Sequence, residues 1–248
     1  MKRASVTALT AAAAFLTMTG TLGAEELFTG SLYRMGTDRA ELLFLQYNEV
    51  ENDGVTFRIT HRYALPDGAP YAVEEVVREN GEFKAYRVEF YLLGTAGSIR
   101  RDGEEIFFTY SDGNGRKSSV YRYQKDILCG PCLIGFVQGN WEPLMRGKPV
   151  HFRLPVMEYQ RTIPFRFRRV DDSPYVRDGR VVLRMEISSF ILGLLIESVD
   201  FVFDEGNRRL LAIHGPSILK VEDEGVWRSV NVDAYYTYER IGALAHGQ

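Results

Sequence analysis

Turn chemistry repeats along this chain at intervals too short for anything but hairpins. Asp53-Gly54, Asp67-Gly68, Asn80-Gly81, Asp102-Gly103, Asp112-Gly113 and Asp178-Gly179 are dipeptides of the kind that close antiparallel strand pairs. Glycine adopts positive φ without steric cost, and Asn or Asp does so at little cost. Glu205-Gly206 and Glu224-Gly225 are weaker versions of the same signal. A parallel α/β protein would need a crossover helix between successive strands, and the spacing leaves no room for one.

Between the turns, apolar and polar residues alternate. Val199, Phe201 and Phe203 share one face, with Asp200 and Asp204 on the other. Val181, Leu183, Met185 and Ile187 oppose Arg180, Arg184 and Glu186. Val230, Val232, Ala234, Tyr236 and Tyr238 oppose Asn231, Asp233, Tyr235 and Thr237. A period of two bounded by Gly turns marks half-buried antiparallel strands. Strands are predicted near 41–48, 55–64, 71–79, 82–92, 104–110, 117–124, 148–155, 161–170, 180–188, 197–204, 208–214, 217–222 and 230–240. The 15 Phe and 14 Tyr fit this bias towards sheet. The expected fold class is mainly β: one large curved antiparallel sheet, an open or half barrel, with one or two short helices. A one-sided sheet must bury its apolar face, and so few helices leave room for a cavity.

Helix signals are sparse. Asn140–Arg146 is a candidate, with Asn140 as cap and Gly147 as terminator. "SFILGLLI" (Ser189–Ile196) is apolar nearly all round. It reads as a buried connection between strands, with a mobile lid over a ligand cavity as the alternative.

The first 24 residues follow the layout of a secretory signal peptide: Lys2 and Arg3, an apolar run through Ala11–Leu16, then small residues ahead of Glu25-Glu26. Residues 25–240 are then expected to be a single antiparallel β domain, and 241–248 a frayed tail. This implies a periplasmic protein with no transmembrane segment in the mature chain. Removing Lys2 and Arg3 takes the net charge from −3 to −5. Nucleic acid is an improbable partner for so acidic a chain.

"CGPC" (Cys129–Cys132) contains the only two cysteines. A catalytic dithiol needs its first Cys at the N-terminus of a helix, where the dipole favours the thiolate. Gly135, Gly139 and Pro143 argue against a long helix there, and no strand–helix–strand unit surrounds the motif. In an oxidising compartment the pair suits a local disulfide or idle thiols closing a turn. A thiol–disulfide oxidoreductase remains the alternative. Half a zinc site would lack the second ligand pair. No metal, cofactor or catalytic residue is otherwise indicated. His214 and Ser217, in "HGPS", flank a turn-like Gly-Pro. Glu74-Glu75 point to opposite faces of a strand and cannot form a dyad.

If 148–155 and 161–170 form a hairpin, His151, Arg153, Arg166 and Arg168 share its polar face. Such a cluster suits an anionic headgroup. The plainer alternative is a solvated face balanced by acidic neighbours such as Glu186.

Gly135–Val170 followed by Leu194–Leu219 resembles a family of exported proteins of Gram-negative bacteria. The shared features are the Asn-Trp before a Leu and Gly, a Val-x-Phe strand, and an Arg-Leu-Leu strand running into a Gly turn. That resemblance brings no activity and no catalytic residues. The architecture is also similar to the lipoprotein-carrier class, whose curved sheet cups acyl chains. It implies a non-enzymatic binding or carrier protein for a lipid-like molecule. The remaining alternative is an envelope structural or assembly factor that docks a protein partner.

Overall fold

The computed structural model describes residues 27–188 and 197–239. The expectations for 1–24, 189–196 and 241–248 lie outside the described residues. The rest forms one sheet of 14 antiparallel strands, not closed into a barrel.

The N-terminal half supplies β1 (Leu27–Arg34), β2 (Leu42–Asn52), β3 (Thr56–Ala64), β4 (Pro70–Glu79), β5 (Glu82–Phe90), β6 (Thr95–Asp102), β7 (Glu105–Asp112) and β8 (Gly115–Arg122). The C-terminal half supplies β9 (Val150–Val156), β10 (Arg161–Val170), β11 (Arg180–Ile187), β12 (Val199–Asp204), β13 (Leu210–Asp223) and β14 (Val226–Glu239). Each half is a meander, and β1 pairs with β14, from Leu27↔Glu239 to Arg34↔Val232. The two described ends of the chain therefore meet mid-sheet, and the free edges are β8 and β9. At β4–β5, Asn80 and Gly81 have φ of 50° and 77°, as a two-residue hairpin turn matched to strand twist requires.

Thirteen strands were expected. Two expected pieces, 208–214 and 217–222, are one strand, β13, bent by a bulge between Pro216 and Lys220. β1 and β6 lie outside the expected set. Each carries glycine and small polar residues, "LFTGSLYR" and "TAGSIRRD", where the alternation is thin.

Between β8 and β9 the chain leaves the sheet and crosses its inner face. Gly130–Cys132 forms a 3₁₀ turn, followed by α1 (Leu133–Gly139) and α2 (Trp141–Met145). α2 is the expected helix near Asn140. Asn140, however, makes no side-chain cap, and its Nδ2 donates to the Phe136 carbonyl instead. α1 was not expected. Gly135 and Gly139 lower its intrinsic propensity, but both are exposed. Leu133 and Val137 are buried against the C-terminal strands, and that packing stabilises a helix the local sequence disfavours.

The inner face carries the core. Leu133, Val137, Trp141 and Leu144 pack on Phe152, Phe167, Leu183, Phe201 and Phe203. A second cluster joins Val76, Val88, Ile99 and Phe108 to Ile127 and Cys129. The sheet curves strongly enough that Tyr86 on β5 and Phe165 on β10 line the same cavity. At the open seam, Ser119 Oγ on β8 donates to the Gln160 carbonyl in the β9–β10 turn, 3.5 Å away. On the outer face, Val170, Val182, Val202 and Ala212 are covered by Tyr175 and Val176. No helix among the described residues is long and apolar enough to cross a membrane.

Candidate functional site

Strand alternation sends most inner positions to apolar side chains, but several neighbouring ones are polar. Register sets them together. Gln46 pairs with Tyr63, and His61 with Glu74, so β2, β3 and β4 present Gln46, His61, Tyr63 and Glu74 on one patch. Tyr86 joins from β5 and Tyr236 from β14. Gln46, His61 and Glu74 are 4 %, 6 % and 3 % exposed.

Tyr236 reaches the patch because β1 is open beneath it. Gly30 stands between Gln46 and Tyr236 in register. A Cβ on Gly30 would lie 2.8 Å from Tyr236 Cε1. The ring thus crosses a strand with no side chain, and its hydroxyl donates to Gln46 Oε1 at 3.2 Å.

Two hydrogen-bonded groups result. In the first, Tyr63 donates to Glu74 Oε2 at 3.0 Å and Tyr86 donates to Glu74 Oε1 at 2.5 Å. Burial pushes the Glu74 carboxyl above its usual range, and the two tyrosine donors oppose that shift. Burial likewise pushes the Tyr63 and Tyr86 hydroxyls well up, and Glu74 adds to it. In the second group, Gln46 Nε2 lies 3.1 Å from His61 Nδ1. Burial lowers His61 to about 4, so the ring is neutral at pH 7. Its Nε2 is buried without a partner among the described residues, as is Asn48 Oδ1.

These polar groups form one wall of a cavity of about 220 Å³ between the sheet and the 3₁₀ turn. The other walls are apolar, among them Leu133, Ile134, Leu154, Phe201 and Ile213. A second cavity of about 370 Å³ shares Tyr86, Leu154, Pro155 and Ile218 with the first. Ile218 sits in the β13 bulge and is 50 % exposed, which places it at the rim of both.

Cys129 and Cys132 flank the turn that closes the first cavity, and they are free thiols. No local disulfide joins them, which leaves the other form of the expectation, idle thiols closing a turn. Cys129 still has extended backbone (φ −111°, ψ 159°), while Cys132 is already helical (φ −89°, ψ −6°). The two side chains therefore leave the turn differently. Cys129 is buried beside Val76, Tyr86 and Ile127. Burial pushes its thiol well up, helped by Cys132 and Glu74. Cys132 is raised to about 11 by burial, against the pull of Arg78. Both environments favour the thiol over the nucleophilic thiolate.

The basic cluster lies on the opposite face, in the expected register. His151 pairs with Arg166, and Arg166 in turn with Glu186. Arg166 and Arg168 share the Glu186 carboxylate, at 2.7 and 3.0 Å. Arg153 donates to Thr162, and His151 Nδ1 is 3.3 Å from Ser188 Oγ. His214 and Ser217 do not meet: His214 Nδ1 pairs with Asp233 at 2.7 Å, and Ser217 donates to the Val230 carbonyl. No cluster of metal-ligating side chains is present among the described residues.

The polar wall had a sequence signal. Glu74-Glu75 on a strand obliges one carboxylate to face inward, and the phase set by Ala72 and Val76 selects Glu74. The same phase puts Gln46 inward with Phe44, and His61 with Tyr63. Comparison with protein-family models, curated proteins and solved structures found no match.

Proposed function

We propose that this chain is a non-enzymatic binding protein of the bacterial periplasm that shelters a small lipid-like molecule. The observation that carries the reading is the pair of adjoining cavities on the inner face. Their walls are mainly apolar, and buried polar groups gather at one end. Specific ligand sites combine those two features: apolar area for affinity and a few placed polar groups for orientation. The volumes suit one hydrocarbon chain rather than a folded partner. Export rests on the N-terminal leader pattern, and the cupped antiparallel sheet is what the lipoprotein-carrier resemblance implies.

The test is binding of 1-N-phenylnaphthylamine, followed by fluorescence. Saturable enhancement is expected. Leu154→Trp, which puts bulk where the cavities join, should abolish it while leaving the far-ultraviolet circular dichroism of a β protein. Unchanged binding in that variant would refute the reading.

A further inference from the structure

The binding-protein reading leaves the ligand's polar end open, and the inference drawn here rests on that reading. The first cavity is lined by no Lys or Arg. Its one ionisable acid, Glu74, forms no ion pair among the described residues. Both of its oxygens already accept a tyrosine proton, so only lone pairs remain to offer a ligand.

His61 offers the complement. An amide nitrogen only donates, so Gln46 Nε2 makes His61 Nδ1 an acceptor and places the ring proton on Nε2. That N–H is buried and has no acceptor among the described residues. Leaving it unpaired is unfavourable, because a buried donor has given up its hydration for no bond. His61 and Glu74 stand opposite each other across β3 and β4, both on the cavity wall. The wall therefore presents a donor without an acceptor beside a carboxylate that already holds two donors and has lone pairs to spare.

We propose that the cavity selects an amphiphile with an uncharged hydroxyl head, whose oxygen accepts from His61 Nε2–H and whose O–H donates to Glu74. A single hydroxyl satisfies both groups. A carboxylate or phosphate accepts from His61 but sets a second negative charge beside Glu74 with no cation to offset it. An ammonium satisfies Glu74 but turns its donors towards the His61 donor. Arg166 and Arg168, which would attract an anionic head, lie on the other side of the sheet, and Lys220 lines only the second cavity.

The test compares four ten-carbon ligands as competitors of bound 1-N-phenylnaphthylamine at neutral pH: 1-decanol, decanoate, decylamine and decyl methyl ether. Decanol should displace the probe at about tenfold lower concentration than the other three, the loss typical of one buried polar group left unpaired. In Glu74→Gln the handicap of decanoate should shrink. In His61→Phe decanol and the ether should weaken together, since both oxygens accept from the ring, while the probe still binds. Decanoate or decylamine competing as well as decanol on the unmodified protein would overturn the head-group assignment and leave the cavity reading standing. Failure of the probe to bind the unmodified protein would overturn both.

Discussion

The carboxylate of Glu74 lies against the α-carbon of Gly130: a Cβ there would stand 2.8 Å from Glu74 Oε1. The middle of Cys-Gly-Pro-Cys is thus fitted to a buried acid five elements upstream. An alanine must displace an oxygen that Tyr86 holds at 2.5 Å, on a carboxylate that is only 3 % exposed. Gly130→Ala is expected to destabilise the protein by about 1–3 kcal/mol, the usual cost of disturbing a satisfied buried polar group. The same substitution should cost much less in a Glu74→Ala background. Urea denaturation of the four proteins of that cycle measures the coupling. Additive losses would show that the contact is not the cause.

Acid should unfold this protein through His61, with Glu74 acting in the opposite sense. His61 binds a proton near 6.5 when unfolded but only at about 4 when folded. Between those values the unfolded state holds the extra proton, so stability falls as pH is lowered, by about 3 kcal/mol over the whole window. Glu74 is raised above its usual value, so its folded form takes up the proton first. It favours the folded state at low pH, and that contribution is lost as pH rises through its folded pKa. In urea midpoints measured from pH 7.5 to 4, His61→Gln should flatten the acid loss and Glu74→Gln should steepen it. Identical slopes in all three proteins would contradict the assignment.

Much of this arrangement could be read from the chain, and the exceptions have physical causes. The Asx-Gly turns and the period of two give most strands and the faces of β11, β12 and β14 correctly. The register of the β9–β10 hairpin follows from the same pattern. β1 and β6 escape because Gly30, Ser31, Gly97 and Ser98 interrupt the alternation at positions where a neighbouring side chain needs the space: Tyr236 over Gly30, and Met157 over Gly97. α1 escapes because its stability comes from the sheet it covers. The polar wall was visible only as wrong-polarity residues at inward positions. Its meaning depends on a register that brings β2, β3, β4, β5 and β14 together, which one sequence does not specify.

The two thiols should be poor nucleophiles despite their motif. With Cys132 raised to about 11, its thiolate fraction near pH 8 falls about a hundredfold below that of a thiol at 9. Cys129 is 1 % exposed and further disfavoured. Iodoacetamide should therefore label the native protein far more slowly than glutathione, and both sites should label quickly in urea. Mass spectrometry of timed samples reads the two positions separately. Rapid native labelling of Cys129 at neutral pH would mean an activated thiolate and would revive the oxidoreductase alternative.

The outer face depends on Asp200, which is 7 % exposed and takes two bonds from Arg184, at 2.7 and 2.9 Å. Ser173 Oγ donates to the same carboxylate at 2.9 Å. That bond pins the β10–β11 connection, which lays the Tyr175 ring flat on His214 with centroids 3.6 Å apart and covers Val182 and Val202. Asp200→Ala would leave Arg184 without its partner and release the connection at once, at a cost of about 3–5 kcal/mol. Ser173→Ala removes only the pin. It should cost about 1 kcal/mol globally. It should also accelerate cleavage of native protein between 171 and 179 by a protease such as trypsin, whose target Arg177 lies in that stretch. Cleavage there no faster than in the unmodified protein would show that apolar packing alone holds the connection down.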